Sequence, residues 1–177
     1  MQLVRPTLPG AIELRVCMAD ETSTILADAT QLEQVILNLC ANAVDAMRET
    51  GGMLEVCIET VELTPAWVAR HPPLQPGPHL RLTVRDSGCG MTPEIREHIF
   101  EPFFTTKGAG GGTGMGLAIV HGIVTRHGGV ITVESTPDQG TAFHLYIPRY
   151  DQAEPVCLSV LDTSSPDTML LLALSDP

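Results

Sequence analysis

The stretch "MGLAIVHGIVTRHGGVITVESTPDQGTAFHLYI", residues 115 to 147, decides the architecture. Leu117, Val120, Ile123 and Val124 recur at helical spacing, and Gly128 stops the run. "VITVEST" (130 to 136) and "TAFHLYI" (141 to 147) then read as strands on either side of "PDQG", a turn. Strands joined by so tight a turn must pair antiparallel, so the sheet that holds them is at least mixed. That excludes an all-parallel, doubly wound dinucleotide fold.

Upstream, "IELRVCM" (12 to 18) alternates apolar and polar residues as a half-buried strand does. "DATQLEQVILNLCANAVDAMRETGG" follows, with Asp28 as N-cap, Gln31 as its capping-box partner and Gly51 at the close. Leu32, Val35, Ile36, Leu39, Ala43 and Met47 give it one apolar face. Strands are predicted at 53 to 63 and 79 to 86, forming a hairpin across the Pro-rich "HPPLQPGP". Thr92 and Pro93 open a short helix over 92 to 100. The order is strand, helix, strand, strand, short helix, helix, strand, strand. It predicts an α+β domain: a two-layer sandwich whose mixed, mostly antiparallel sheet is covered on one face by about three helices. Past Ile147 the chain turns rich in Pro, Asp and Ser, so the domain is expected over 1–150 and a tail or linker over 151–177.

The chain has 177 residues, 44% of them hydrophobic, enough for one domain with a real core. A formal charge of −11 repels nucleic acid and anionic lipid. A polyanionic small molecule stays compatible where backbone amides and one cation reverse the field locally. The five cysteines (Cys17, Cys40, Cys57, Cys89, Cys157) show no C-x-x-C pair and no zinc spacing, which predicts reduced thiols in a cytoplasm-like compartment. The sequence shows no signal peptide, and its longest late apolar run, "MLLLAL", falls far short of the ~20 residues of a membrane span.

Three motifs carry chemistry. Six of the sixteen glycines lie within 108–116, directly after Lys107, the only lysine. Their spacing fits neither common phosphate-loop pattern, yet a helix opening from them presents free N–H groups to an anion. Asn38 and Asn42 stand one turn apart on the long helix, with Gln34 and Asp45 extending the stripe. A carboxamide oxygen suits Mg²⁺ when phosphates complete its shell. Asp86 ends a strand and is followed by Gly88 and Gly90, an arrangement that can accept from an exocyclic amine and let a flat base approach the backbone. Taken singly, each also fits a plainer role: a ligand-free surface loop, a solvated helix face, an Asx turn.

In sequence order, N-x-x-x-N, D-x-G-x-G, "FEPFFTTK" and G-T-G-M-G-L resemble the ATP-binding domain shared by sensor histidine kinases, DNA gyrase, heat-shock chaperones and mismatch-repair ATPases. "QLEQVILNLCANAVDAM" and "GTGMGLAIVHGIV" sharpen the likeness to the catalytic domain of a bacterial sensor histidine kinase, over roughly residues 10 to 148. The resemblance implies ATP and Mg²⁺ as cofactors. It puts Mg²⁺ on Asn42, with Asn38 lining the phosphate pocket, and Asp86 on the adenine amine, with Gly88, Gly90 and Thr141 beside the base. Lys107 contacts phosphates, and Gly112, Thr113, Gly114, Gly116 and Leu117 form the nucleotide lid; Asn38 and Lys107 are the catalytic pair.

The implied activity is transfer of the ATP γ-phosphoryl group to a histidine on a dimerisation domain, with a response regulator or receiver domain downstream. A nucleotide-gated module without chemistry, and a gyrase- or chaperone-type hydrolase, are the alternatives. Against the hydrolase, Asn38 stands where such relatives carry a water-activating glutamate. Nothing helical is expected before residue 28 and the first histidine is His71, so the chain reads as a fragment lacking its phosphoacceptor. "MLLLALSDP" resembles the first strand of a receiver domain, as in hybrid kinases, with the acidic pair reduced to Ser175 and Asp176.

Overall fold

The computed structural model describes residues 11–18, 25–107 and 112–150, together with the backbone of Leu170 and Leu171. Five strands form the main sheet: β1 (Ile12–Met18), β3 (Gly52–Leu63), β4 (Gly77–Asp86), β5 (Val130–Thr136) and β6 (Gly140–Pro148), in the order β1-β3-β4-β6-β5. Only β1 and β3 run parallel; every other neighbour is antiparallel, including the β5–β6 hairpin. The crossover between β1 and β3 contains α1 (Ala29–Ala46), as a parallel connection requires. A second pairing joins β2 (Leu26–Ala27) to β7 (Leu170–Leu171). The remaining tail, with the receiver-strand reading of its end, lies outside the described residues.

Alternation places the core. Leu54 and Val56 on β3, Leu82 and Val84 on β4, and Phe143 and Leu145 on β6 share the helix-covered face. Val35, Leu39, Ala43 and Met47 of α1 and Val120 and Val124 of α4 (Gly116–Arg126) close over them. The helical period read from these residues is therefore the face that is buried. The third covering helix, α3 (Pro93–His98), lies beneath its Thr92 cap as expected, and Ile95 packs on the core.

Four details depart from the sequence reading. Thr64 caps α2 (Pro65–Val68), a single turn that precedes the prolines, and its Val68 and Trp67 pack with Leu63, Leu74 and Tyr146. Tyr146 points opposite to Leu145, so α2 covers a corner of the other sheet face. Asp28 does cap α1, accepting from the N–H groups of Thr30 and Gln31. The reciprocal half of the capping box is replaced: the Asp28 N–H donates to His127 Nε2 at 3.2 Å, while His127 Nδ1 donates to the Ile123 carbonyl. The helix ends at Ala46, before Gly51. Finally, Cys17 and Cys57, opposite one another in the parallel register with Cα atoms 4.5 Å apart, form a disulfide. Cys40 and Cys89 are free, as expected for all the thiols, and Cys157 lies outside the described residues. The pair was invisible in the sequence because register, not spacing, brings it together. No helix among the described residues is long and apolar enough to cross a membrane.

Candidate nucleotide site

Between α1, α3, the start of α4 and the ends of β4 and β6 lies a cavity of about 440 Å³. That is the size of an ordinary small-ligand site. Asn42 and Asp45 reach it from α1, Asp86 from β4, Thr141 from β6, and Lys107 and Gly116 from the segment that leads into α4.

At one wall Asp86 is 7% exposed. Its Oδ1 accepts from the Gly88 N–H at 2.8 Å and the Thr141 N–H at 3.3 Å. The β4–β6 register sets Asp86 opposite Thr141, which explains how residues so distant in sequence meet. Burial raises the Asp86 pKa above its ordinary value, and the two backbone donors oppose that shift. Thr141 is itself held by a 2.9 Å hydrogen bond between its hydroxyl and that of Ser135.

The opposite wall is built on α1 and α4. Met115, the N-cap of α4, offers no side-chain hydrogen bond to the first turn. Gly116 and Leu117, in that turn, line the cavity. Free N–H groups and the positive end of the helix dipole thus face the site. Gly114 has φ +66°, and a Cβ there would fall 2.4 Å from the Phe103 carbonyl carbon. The Phe103 N–H donates to the Gly114 carbonyl at 3.0 Å, which staples the Phe-rich segment to the start of α4. Lys107 reaches across to α1, where its Nζ pairs with Asp45; Asp45 also accepts from Arg48 at 2.6 Å. Among the described residues that line the cavity, Lys107 is the one cation.

Of the residues singled out in the sequence, Asn42, Asp86, Gly90, Lys107, Gly112, Thr113, Gly114, Gly116, Leu117 and Thr141 line this cavity together. Asn38 and Gly88 do not. Gly88 abuts α1, where a Cβ would lie 2.6 Å from the Ala46 carbonyl oxygen, so its smallness serves that packing. Asn38 lies behind Gly116, whose Cβ would meet Asn38 Oδ1 at 3.4 Å, and its buried Nδ2 has no partner in the protein. The glycines at 108, 110 and 111 lie outside the described residues. Sequence reasoning passed over the apolar lining of Met91, Ile95, Ile99 and Phe143, and over Cys89. Of these, only Cys89 carried a signal, its place inside D-x-G-x-G.

A mixed sheet under helices, with an acidic group at one wall and an uncapped helix start at the other, defines a nucleotide-binding domain of the two-layer ATPase kind. Comparison with known proteins gives the particular family. Residues 27–151 match the model of the histidine kinase-, DNA gyrase B- and HSP90-like ATPases, and the chain belongs to that family.

Within it, the kinship is to histidine kinases. Sensor kinase CckA of Brucella abortus is 38% identical over 138 residues, covering 78% of this chain and 14% of that protein. Sensor histidine kinase ZraS of Escherichia coli K12 is 37% identical over 137 residues, 77% of this chain and 26% of that one. The catalytic domain of histidine kinase ThkA, in a nucleotide-free form, superposes with a TM-score of 0.60 at 32% identity, covering 78% of this chain and 80% of that domain. Full-length ShkA in complex with AMPPNP gives a TM-score of 0.59 at 30% identity, covering 82% of this chain and 27% of that protein. The chain is therefore a histidine kinase-type ATPase catalytic domain, and it spans only a minor part of the sensor kinases it matches.

Proposed function

We propose that residues 1–150 bind ATP with Mg²⁺ in this cavity and present the γ-phosphoryl group to a histidine on a separate dimerisation domain, with residues 151–177 as tail or linker. The observation that carries this reading is the convergence of Asn42, Asp86 and the Lys107 segment, three pieces distant in sequence, on one cavity of about 440 Å³. Asp86 accepts from the adenine amine, while Gly90 and Thr141 flank the base. Lys107 and the first-turn N–H groups of α4 receive phosphate oxygens, as an uncapped helix start does.

The donor set fits Mg²⁺. Asn42 offers a hard, neutral oxygen ligand on the α1 wall, and a nucleotide supplies further oxygens. Asn42 would hold Mg²⁺ there, and the metal would supply charge neutralisation for the bound phosphates. The chain's own residues then position the phosphoryl group for in-line attack and exclude water. Asn38, behind the α4 start, offers no carboxylate to activate water, which favours transfer to a protein nucleophile over hydrolysis. A response regulator or receiver domain accepts the phosphoryl group from the histidine, in the cytoplasm where ATP is supplied.

Titration of the chain with ATP in a calorimeter, with and without Mg²⁺, is the direct test. Asn42→Ala is expected to lose affinity mainly in the presence of Mg²⁺; an equal loss in both conditions removes its metal role. Mixed with a dimerisation hairpin from a matched kinase and radiolabelled ATP, the chain should label that hairpin's histidine. Tight ATP binding with no transfer would favour a nucleotide-gated module.

A further inference from the structure

The ion pair between Lys107 and Asp45 sits inside the proposed nucleotide cavity, yet neither the fold nor the reading above accounts for Asp45. Asp45 follows Asn42 by three residues on α1, so the two side chains share the wall that faces the phosphates. Its carboxylate is 26% exposed and holds two cations: Lys107 across the cavity and Arg48 in the turn that follows α1. A carboxylate beside a polyphosphate site is unfavourable on charge alone. It also engages the one cation that the described residues offer the cavity. Arg48, 76% exposed, is a solvent-facing partner and does not line the site.

Resting on the ATP·Mg²⁺ reading, we propose that Asp45 is a specificity-determining residue that makes nucleotide binding depend on the metal. Without Mg²⁺, Asp45 retains Lys107 and repels the triphosphate. With Mg²⁺, the carboxylate gains a new partner in the hydrated cation held by Asn42, and Lys107 is released to the phosphates. The exchange is one of ionic partners; no bond is made or broken covalently. A merely structural ion pair would instead leave the metal dependence unchanged when it is removed.

The test is a double-mutant cycle on the 177-residue chain, read by calorimetric titration with ATP in EDTA and again in Mg²⁺. Asp45→Asn keeps the shape of the side chain and removes its charge. It is expected to raise affinity for metal-free ATP by about three- to tenfold, the range of a partly exposed ion pair and a close like charge, and to change affinity with Mg²⁺ by less. The ratio of the two affinities thereby narrows. In a Lys107→Met background the gain should shrink, because the released ammonium is gone. An equal gain in both backgrounds would mean simple repulsion and would overturn the exchange, as would an unchanged or weaker metal-free affinity in Asp45→Asn. Arg48→Gln serves as a control and is expected not to reproduce the gain. If Asp45→Asn does not fold, Asp45→Ala takes its place in the same cycle. Failure of the unmodified chain to bind ATP with Mg²⁺ would instead refute the functional reading itself, and the inference with it.

Discussion

Asp86 shows how a proposed binding group is held at a cost to the fold. Its carboxylate is buried and accepts two backbone N–H groups, and its pKa is raised chiefly by desolvation. A carboxyl whose folded pKa is raised binds its proton more tightly in the native state, so its contribution to stability is fullest below the ordinary carboxylate range. That contribution is lost as pH rises through the folded pKa. Asp86→Asn keeps an acceptor for Gly88 and Thr141 and removes the buried charge. At neutral pH the variant should melt at an equal or higher temperature than the parent while losing ~1.5–3 kcal/mol of ATP affinity, the worth of a hydrogen bond to a charged group. Unchanged affinity by calorimetry would remove Asp86 from the base-reading role. The two free thiols among the described residues, Cys40 and Cys89, contrast with one another. Burial pushes the Cys40 thiol up to about 11, whereas Cys89 is exposed and lines the cavity. Near pH 8 an alkylating reagent should label Cys89 and spare Cys40, and ATP with Mg²⁺ should slow that labelling in a mass-spectrometric time course.

Among the elements, α1 carries both the core and the site, on different faces. Leu39, 1% exposed, packs between the sheet and α4, and Leu39→Ala should cost ~2–5 kcal/mol in denaturant unfolding. The side chains of Asn42 and Asp45, on the neighbouring stripe, are supported by that packing. Both ends of the helix are tied to other elements: Asp28 bonds to His127 at the C-terminal end of α4, and Cys89, just past β4, donates its N–H to the Ala46 carbonyl. Asp28→Ala removes the cap acceptors for Thr30 and Gln31 and should cost ~1 kcal/mol. The α4 start is fixed differently, through Gly114 and Phe103. Gly114→Ala puts a methyl group against the Phe103 backbone in a left-handed conformation, so it should weaken ATP binding, read by calorimetry, with most of the sheet core intact.

For the whole molecule, the sheet's two faces divide the labour. The helix face is apolar, while the other carries a polar layer: Arg81 pairs with Glu59 at 2.9 Å, and Thr83 shares a 3.0 Å hydrogen bond with His144. His144 is buried among these groups, and desolvation lowers its pKa, helped by Arg81 and Arg85 and opposed by Glu134 and Glu59. A histidine with a depressed folded pKa gives stability that is complete above its ordinary value near ~6.5 and is lost as pH falls toward the folded value. The domain should therefore lose stability on acidification below that point, and His144→Gln should flatten this part of the pH dependence in thermal melts. Asp86 acts with the opposite sign over the acidic range, so the double variant separates the two contributions.

Much of this fold was legible because its signals are local. Periodicity placed α1, α4 and the five main strands; a short turn dictated the β5–β6 hairpin; four ordered motifs named the family. What escaped depends on register or on packing between distant elements. The Cys17–Cys57 disulfide needs the parallel alignment of β1 with β3, and α2 is too short for a periodic signal. His127 displaces Gln31 from the Asp28 N–H because α4 delivers it to the head of α1. Pattern thus settled which faces are buried and which family the chain belongs to, since burial follows from side-chain type and period and the motifs are local. Only tertiary structure decided that Gly88 packs against α1 and that Asp45 meets Lys107, because close approach between segments is set by how the layers stack and not by any one segment's sequence.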